Sequence, residues 1–214
     1  LLDANPALRT LALTLCSDAH LAPVPHYDLG DIATTLKAAP AADLVIASYM
    51  IGELGETERT ALADALWSKT RDTLLVVEPG TPAGYARIIA LRGRLIAAGA
   101  HVAAPCPHDR GCPLVAPDWC HFNQRLPRSQ AHRQIKGAEV PFEDERFIYV
   151  ALTRTPAAAR VSRVLAPPDV GKAEIVAKLC TPQGLAVTRL LRRDKPAYAE
   201  ARRWRWGDGV ASEF

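Results

Sequence analysis

The sequence predicts an α/β fold built on a doubly wound, mostly parallel sheet, and three observations predict it. Strand-like apolar runs alternate with helix-patterned segments through the first hundred residues. Two of those runs, 43–48 and 73–78, are apolar almost throughout and end on a polar residue, as strands buried on both faces do. The 214 residues, 49% apolar and 23% charged, suffice for a sizeable core and exclude a wholly disordered or coiled-coil chain.

The elements follow in order. Leu1-Leu2-Asp3 has the pattern of a strand end, 6–16 of a helix and 24–27 of a short strand. Residues 31–39 form a helical turn or two capped by Asp31, because an aspartate oxygen can accept from the first free amides. After the strand 43–48 comes a helix over 57–70, with Leu62, Leu66 and Trp67 on one face and Glu58, Arg59, Asp64 and Lys69 off it. The strand 73–78 stops at Pro79-Gly80; the helix 82–98 follows, closed by Gly99, and 101–104 resumes as strand. Ligands in such sheets bind beyond the carboxyl ends of the strands, which here carry Asp3, Asp28, Ser48-Tyr49 and Glu78.

From 105 to 144 the periodicity stops. The segment has five prolines before Arg128 and three cysteines, so something other than regular structure is expected to order it. Strands resume at 146–153, 160–165, 173–179 and 185–190, followed by a basic tail. The domain boundaries expected are a core over 1–104, a Cys-rich insertion over 105–145, and C-terminal strands completing the sheet with the tail over 146–214.

The net charge of +3 conceals an asymmetry. Residues 1–120 carry 9 basic against 13 acidic side chains, and residues 121–214 carry 17 against 10. A basic half is suited to a polyanion, because each phosphate neutralised releases counterions; solvated surface arginines are the plainer reading. No apolar run approaches the roughly 20 residues of a membrane span, and the most apolar helix is broken by Arg87, Arg92 and Arg94. The chain opens without Met or a signal-peptide pattern, so a missing front end is expected.

Of the five cysteines, Cys16 falls on the apolar side of a helix and reads as a small buried hydrophobe. Cys106, Cys112 and Cys120 lie in the proline-rich segment, and Cys180 follows a strand. Disulfides are rare in the reducing cytosol that the chain suggests. A thiolate–metal site would supply the missing ordering energy. Zinc sites favour tight C-x₂₋₄-C knuckles, whereas the spacing here is C-x₅-C-x₇-C with a distant fourth, closer to an iron–sulfur cage. Zinc, a cluster and independent buried cysteines all stay open on spacing. His108 and His121 flank these cysteines as substitute ligands or neighbours.

The runs CPHDRGCPL, WCHFNQR, HRQIKG and PFEDERFIYV resemble the methyltransferase-like proteins of the small ribosomal subunit of bacteria and mitochondria. So do DLVIASYMIGEL, LLVVEPGTPAGYARIIALRGRLI and the basic segment closing in WGD. The resemblance implies a class I S-adenosylmethionine-dependent methyltransferase-like (Rossmann-like) sheet, entered here at its second strand, with a Cys-rich metal-binding insertion. It implies a 4Fe–4S cluster on Cys106, Cys112, Cys120 and Cys180, with zinc as the alternative metal. It further implies S-adenosylmethionine held by Asp3 at the ribose, Asp28 at the adenine amine, and Ser48 and Tyr49 at the methyl-transfer mouth. Two departures stand against methyl transfer: no glycine-rich loop follows a first strand, and ASYMIGEL replaces an N-P-P-Y-like motif.

Arg125, Arg128, His132, Arg133 and Lys136 follow the third cysteine, and a helix would put Arg128, His132 and Lys136 on one face. The tail adds Arg192, Arg193, Arg202 and Arg203 among Tyr198, Trp204 and Trp206, a combination of cations and stacking rings that grips single-stranded RNA. Glu143-Asp144-Glu145 reads as a magnesium or substrate site, or as a solvated turn. The function expected is that of a monomeric small-subunit assembly factor binding rRNA and ribosomal proteins, in the bacterial cytoplasm or a mitochondrial matrix. An active rRNA methyltransferase and a zinc-stabilised protein-binding module are the alternatives.

Overall fold

The structure, a computed structural model, describes residues 1–20, 22–158 and 160–211. A short parallel pair comes first: β1 (Leu2–Asp3) lies beside β2 (Asp28–Leu29), and α1 (Pro6–Asp18) joins them. Asn5 starts α1 by accepting from Ala7 and Leu8 N–H. The helix α2 (Ile32–Ala38) carries the expected cap, with Asp31 accepting from Thr34 N–H at 3.0 Å.

The main sheet is built by β3 (Ala42–Ser48), β4 (Thr70–Pro79), β5 (His101–Ala104), β6 (Phe122–Pro127) and β7 (Phe142–Thr153). Its order is β3-β4-β7-β5, with β6 on the first half of β7. β3 and β4 pair in parallel, and β7 alone is reversed: it is antiparallel to β4, β5 and β6, so β3, β4, β5 and β6 all run the same way. Between β3 and β4 runs α3 (Glu56–Lys69), and between β4 and β5 runs α4 (Pro82–Ala97). The core joins Leu62, Leu66 and Trp67 of α3 and Ile88, Leu91 and Leu95 of α4 to Leu74, Val76, Val150 and Leu152 of the sheet. Each such side chain is worth roughly 1.5–3 kcal/mol when withdrawn from water. Gly84 lets α4 start close against β4: a Cβ there would stand 2.0 Å from Pro79 O.

The chain then makes a second, antiparallel sheet from β8 (Ser162–Val164), β9 (Asp169–Val170), β10 (Glu174–Thr181), β11 (Gly184–Leu191) and β12 (Gly209–Val210). The helix α6 (Lys195–Ala201) packs on it over Val164, Ile175, Leu179, Leu190 and Trp204. None of the helices among the described residues is long and apolar enough to cross a membrane.

The structure departs from the sequence reading in four places. The strand expected at 24–27 forms instead at β2, so Asp28 lies within a strand rather than after it. The run 43–48 is not buried on both faces: among the described residues β3 pairs with β4 alone, and Leu44 and Ile46 are more than half exposed because their face opens on the cleft beside β1 and β2. The strands after residue 160 build their own sheet, and β7 alone of the later strands enters the first. Finally, 105–144 is only partly irregular. It contains β6 and α5 (Gln130–Lys136), because the first half of β7 extends beyond β4 and offers β6 a ladder. The acidic run is therefore part of β7, not a turn.

Candidate metal centre and nucleic-acid surface

The segment from Pro105 to His121 lies between the two sheets and is pinned at both of them. Asp109 accepts from Val102 N–H at 2.8 Å and from Arg160 at 2.7 Å, and His101 stands 3.2 Å away. Arg110 donates to Pro182 O, and Lys178 of β10 pairs with Asp118. Trp119 Nε1 donates to Gly80 O at 3.1 Å. Those anchors bring Cys106, Cys112 and Cys120 to Cys180 of β10, and all four line one narrow cavity with Arg92, Tyr149 and Arg163. Cys16 is elsewhere, half-buried on α1. Among the described residues no three or more Cys, His, Asp or Glu converge as a preformed metal-holding group. The sulfurs share a cavity, not yet a common point.

The electrostatics say what that cavity can hold. Burial pushes the Cys106 thiol up against the pull of Arg92, and burial with the neighbouring sulfurs lifts Cys120 well above its ordinary value. Burial and the same neighbours take Cys180 to about 12. Four thiolates would repel one another here unless a cation lay among them, and a soft metal centre is the cation thiolates prefer. The donor set therefore fits a tetrathiolate centre. Tyr85 Oη donates to Cys112 Sγ at 3.2 Å, the kind of outer bond that orients a ligand. His108 is buried with Nε2 3.8 Å from Cys180 Sγ. His121 is instead packed against Trp119 and Trp206, with ring centroids 5.1 and 4.7 Å away. Burial lowers the pKa of both histidines.

The expected cofactor residues part company. Asp3, Asp28 and Ser48 line one open cleft of about 810 Å³ between β1–β2 and β3. Asp3 Oδ1 accepts from Asn5 N–H at 2.7 Å, and Asp28 Oδ1 lies 2.8 Å from His26 Nε2. Tyr49 is not among the residues lining that cleft. Its backbone is left-handed, with φ of 55°, and its hydroxyl donates to Glu145 of β7 at 3.1 Å. The cleft offers carboxylates to ribose hydroxyls and an adenine amine, but its lining contains no glycine turn to cradle a methionyl carboxylate.

The basic residues divide as sharply. Arg125 makes two hydrogen bonds to Asp144, at 2.7 and 2.8 Å, while its guanidinium covers the Phe142 ring. Arg128 donates twice to Glu143, and His132 and Lys136 come within 3.9 and 4.0 Å of the same carboxylate. Arg128 precedes α5 rather than sharing its face, since Ser129 caps that helix; the three cations meet at Glu143, not along a helical stripe. Arg133, half-buried, buries its Nε. In the second sheet Arg192, Arg193, Arg202 and Arg203 are exposed, and none has a carboxylate partner among the described residues. Lys172, Arg192 and Arg202 surround one open pocket of about 280 Å³ beside Tyr198. The expected stacking rings are engaged: Trp204 is buried, Trp206 Nε1 donates to His121 O at 2.8 Å, and the Tyr198 hydroxyl donates to Gly171 O.

Sequence reading missed Arg92, Arg163, Tyr85 and Lys172. Arg92 did leave a signal, a cation one turn from Ile88 on the apolar face of α4; the others left none, because their neighbours come from distant elements.

Comparison with known proteins then adds the family context. The family described as mitochondrial small ribosomal subunit Rsm22 matches residues 1–211. The chain is similar to the human mitochondrial ribosome assembly protein METTL17, at 33% identity over 187 residues, 78% of this chain and 39% of that protein. It is also similar to the mitochondrial Rsm22-cox11 tandem protein 2 of Schizosaccharomyces pombe, at 26% identity, covering 77% of this chain and 28% of that protein. The chain thus spans well under half the length of these curated relatives.

Proposed function

Because the chain belongs to the Rsm22 family of methyltransferase-like small-ribosomal-subunit proteins, we propose that it is an assembly factor that binds small-subunit rRNA, with a 4Fe–4S centre tying its two sheets together. The observation that carries the RNA-binding reading is the contrast between the two basic surfaces. The cations of the β6–α5–β7 arm are largely neutralised within the chain, whereas Arg192, Arg193, Arg202, Arg203 and Lys172 are exposed and have no carboxylate partner among the described residues. Unpaired like charges gathered on one face gain most from a polyphosphate.

Cys106, Cys112, Cys120 and Cys180 would hold the centre, which supplies four metal–sulfur bonds and a one-electron couple when bound. The chain's own groups do the rest. Asp109 and Arg110 fasten the ligand loop to either sheet, Tyr85 orients Cys112, and the apolar lining from Ile88, Leu114 and Ile148 keeps water from the sulfurs. With β10 fixed in this way, the arginines that follow β11 are presented from a rigid base. S-adenosylmethionine remains a proposed ligand of the Asp3–Asp28–Ser48 cleft, which offers carboxylates to its ribose hydroxyls and adenine amine. The mitochondrial relatives support a matrix location in a eukaryote, as the bacterial branch of the resemblance supports the cytoplasm in a bacterium.

The test is rRNA binding across a salt series. Replacing Arg192, Arg193, Arg202 and Arg203 by Gln should flatten the slope of log affinity against log salt by about 3, since each phosphate contact contributes ~0.7–0.9. An unchanged slope overturns the assignment of RNA to this face. Calorimetry with S-adenosylmethionine, and methyl transfer to small-subunit RNA, decide the enzymatic alternative. Stoichiometric zinc in a colourless sample decides for the zinc module.

A further inference from the structure

We propose that Arg92 and Arg163 are the counter-ions of the four-thiolate centre and set how readily it accepts an electron. The inference rests on the cluster reading above and extends it to residues outside the ligand set.

Arg92 is 2% exposed and lies on the face of α4 that carries Ile88 and Leu95. One of its amino groups donates to His108 O at 2.6 Å, and its Nε is buried with no partner. Arg163, half-buried on β8, donates to Pro105 O at 3.2 Å and to Gly207 O at 2.8 Å. Neither guanidinium has a carboxylate within ion-pair distance among the described residues. Both line the cavity of the four sulfurs, whose remaining polar side chain is the Tyr149 phenol.

A guanidinium cannot shed its proton, so burial without an anion is a cost that protein interiors avoid. Two such cations beside neutral thiols leave that cost uncompensated. The arithmetic changes once the sulfurs are thiolates on a metal core: four negative thiolates on a 2+ iron–sulfur core make a centre of charge −2, equal and opposite to the two arginines. Taking one electron from a low-potential donor lowers the core to 1+ and the centre to −3; no bond forms or breaks and no proton is required. The extra charge develops in a poorly solvated cavity, where nearby cations are felt most strongly. Removing either arginine therefore disfavours the reduced form more than the oxidised one.

The experiment uses the full chain, reconstituted anaerobically with ferrous iron and sulfide, as wild type and as Arg92→Gln, Arg92→Lys, Arg163→Gln and Arg163→Lys. Iron and sulfide per chain, visible absorbance, and the reduced-to-oxidised ratio at a fixed ambient potential are the readouts. Each Gln variant is expected to lower that ratio about tenfold, equivalent to ~59 mV for a one-electron couple. The Lys variants should stay near wild type. Gln variants that load iron normally and keep the wild-type ratio overturn the proposal and leave the cluster reading standing. If Arg92→Gln does not fold, Arg163→Gln decides alone, since its side chain bonds only backbone carbonyls. A wild-type chain that stays colourless and retains zinc overturns the cluster reading and this proposal with it.

Discussion

Two carboxylates mark how single residues are committed in this chain. Glu78, near the end of β4, is fully buried and accepts from Ile51 N–H at 3.1 Å and from Arg87 Nε at 2.8 Å. Glu78→Gln would leave the mostly buried Arg87 without its anion, and a loss of about 3 kcal/mol is expected in urea unfolding. Asp109 tests a pH dependence. Burial alone would raise its pKa, but the bonds from Arg160, Val102 N–H and His101 prevail and bring it to about 2. A depressed carboxylate stabilises the fold above its unfolded pKa of ~3.9, and that contribution fades as pH falls toward 2. Asp109→Asn should therefore cost on the order of 1 kcal/mol at pH 7 and almost nothing at pH 2. Equal losses at both pH values would show that the residue acts by shape alone.

Among the elements, the β6–α5–β7 arm behaves as a self-neutralising unit. Its strands register Arg125 directly against Asp144, and Arg128, just past the end of β6, reaches Glu143. Glu143→Gln would release Arg128, His132 and Lys136 from a shared carboxylate. Low-salt RNA affinity should rise a few-fold, and the salt slope should steepen by about one phosphate contact. A filter-binding series showing no gain would mean that the arm does not face the RNA. The helix α4 depends on a different local condition. Gly84→Ala would drive a Cβ into Pro79 O, a backbone atom, and destabilise the chain by about 2–3 kcal/mol in thermal unfolding.

For the whole molecule, the decisive feature is that three thiols belong to the loop leaving the first sheet and the fourth to β10 of the second. Each sheet has its own apolar core, so the loop is the principal fastening between two otherwise separate units. Metal bound there would couple their unfolding. Calorimetry of the loaded chain should give one transition, and Cys180→Ser or chelation should split it into two, the lower one belonging to the second sheet. A single transition in every case would show that packing alone unites the sheets.

Much was legible in the sequence where the signal is local. Asp31 as a helix cap, Leu62, Leu66 and Trp67 as a buried face, and a strand over 73–78, which lies inside β4, all depend on neighbours within a few positions. The four cysteines outside α1 stood out because a proline-rich, aperiodic segment needs another source of order, and they do line one cavity. What required three dimensions was every pairing between distant residues. Charge composition marked Arg125 and Arg128 for RNA, but only the register of β6 on β7 consumes them in ion pairs. The aromatic tail suggested base stacking, but only the second sheet buries Trp204 and turns Trp206 onto His121. Periodicity reports which face of an element is apolar, so the sequence by itself determined most elements of the first hundred residues, the apolar faces of α3 and α4 and the cysteine set. It is silent on which distant side chain meets that face, so the tertiary structure alone decided which charges stay free and which two arginines stand beside the sulfurs.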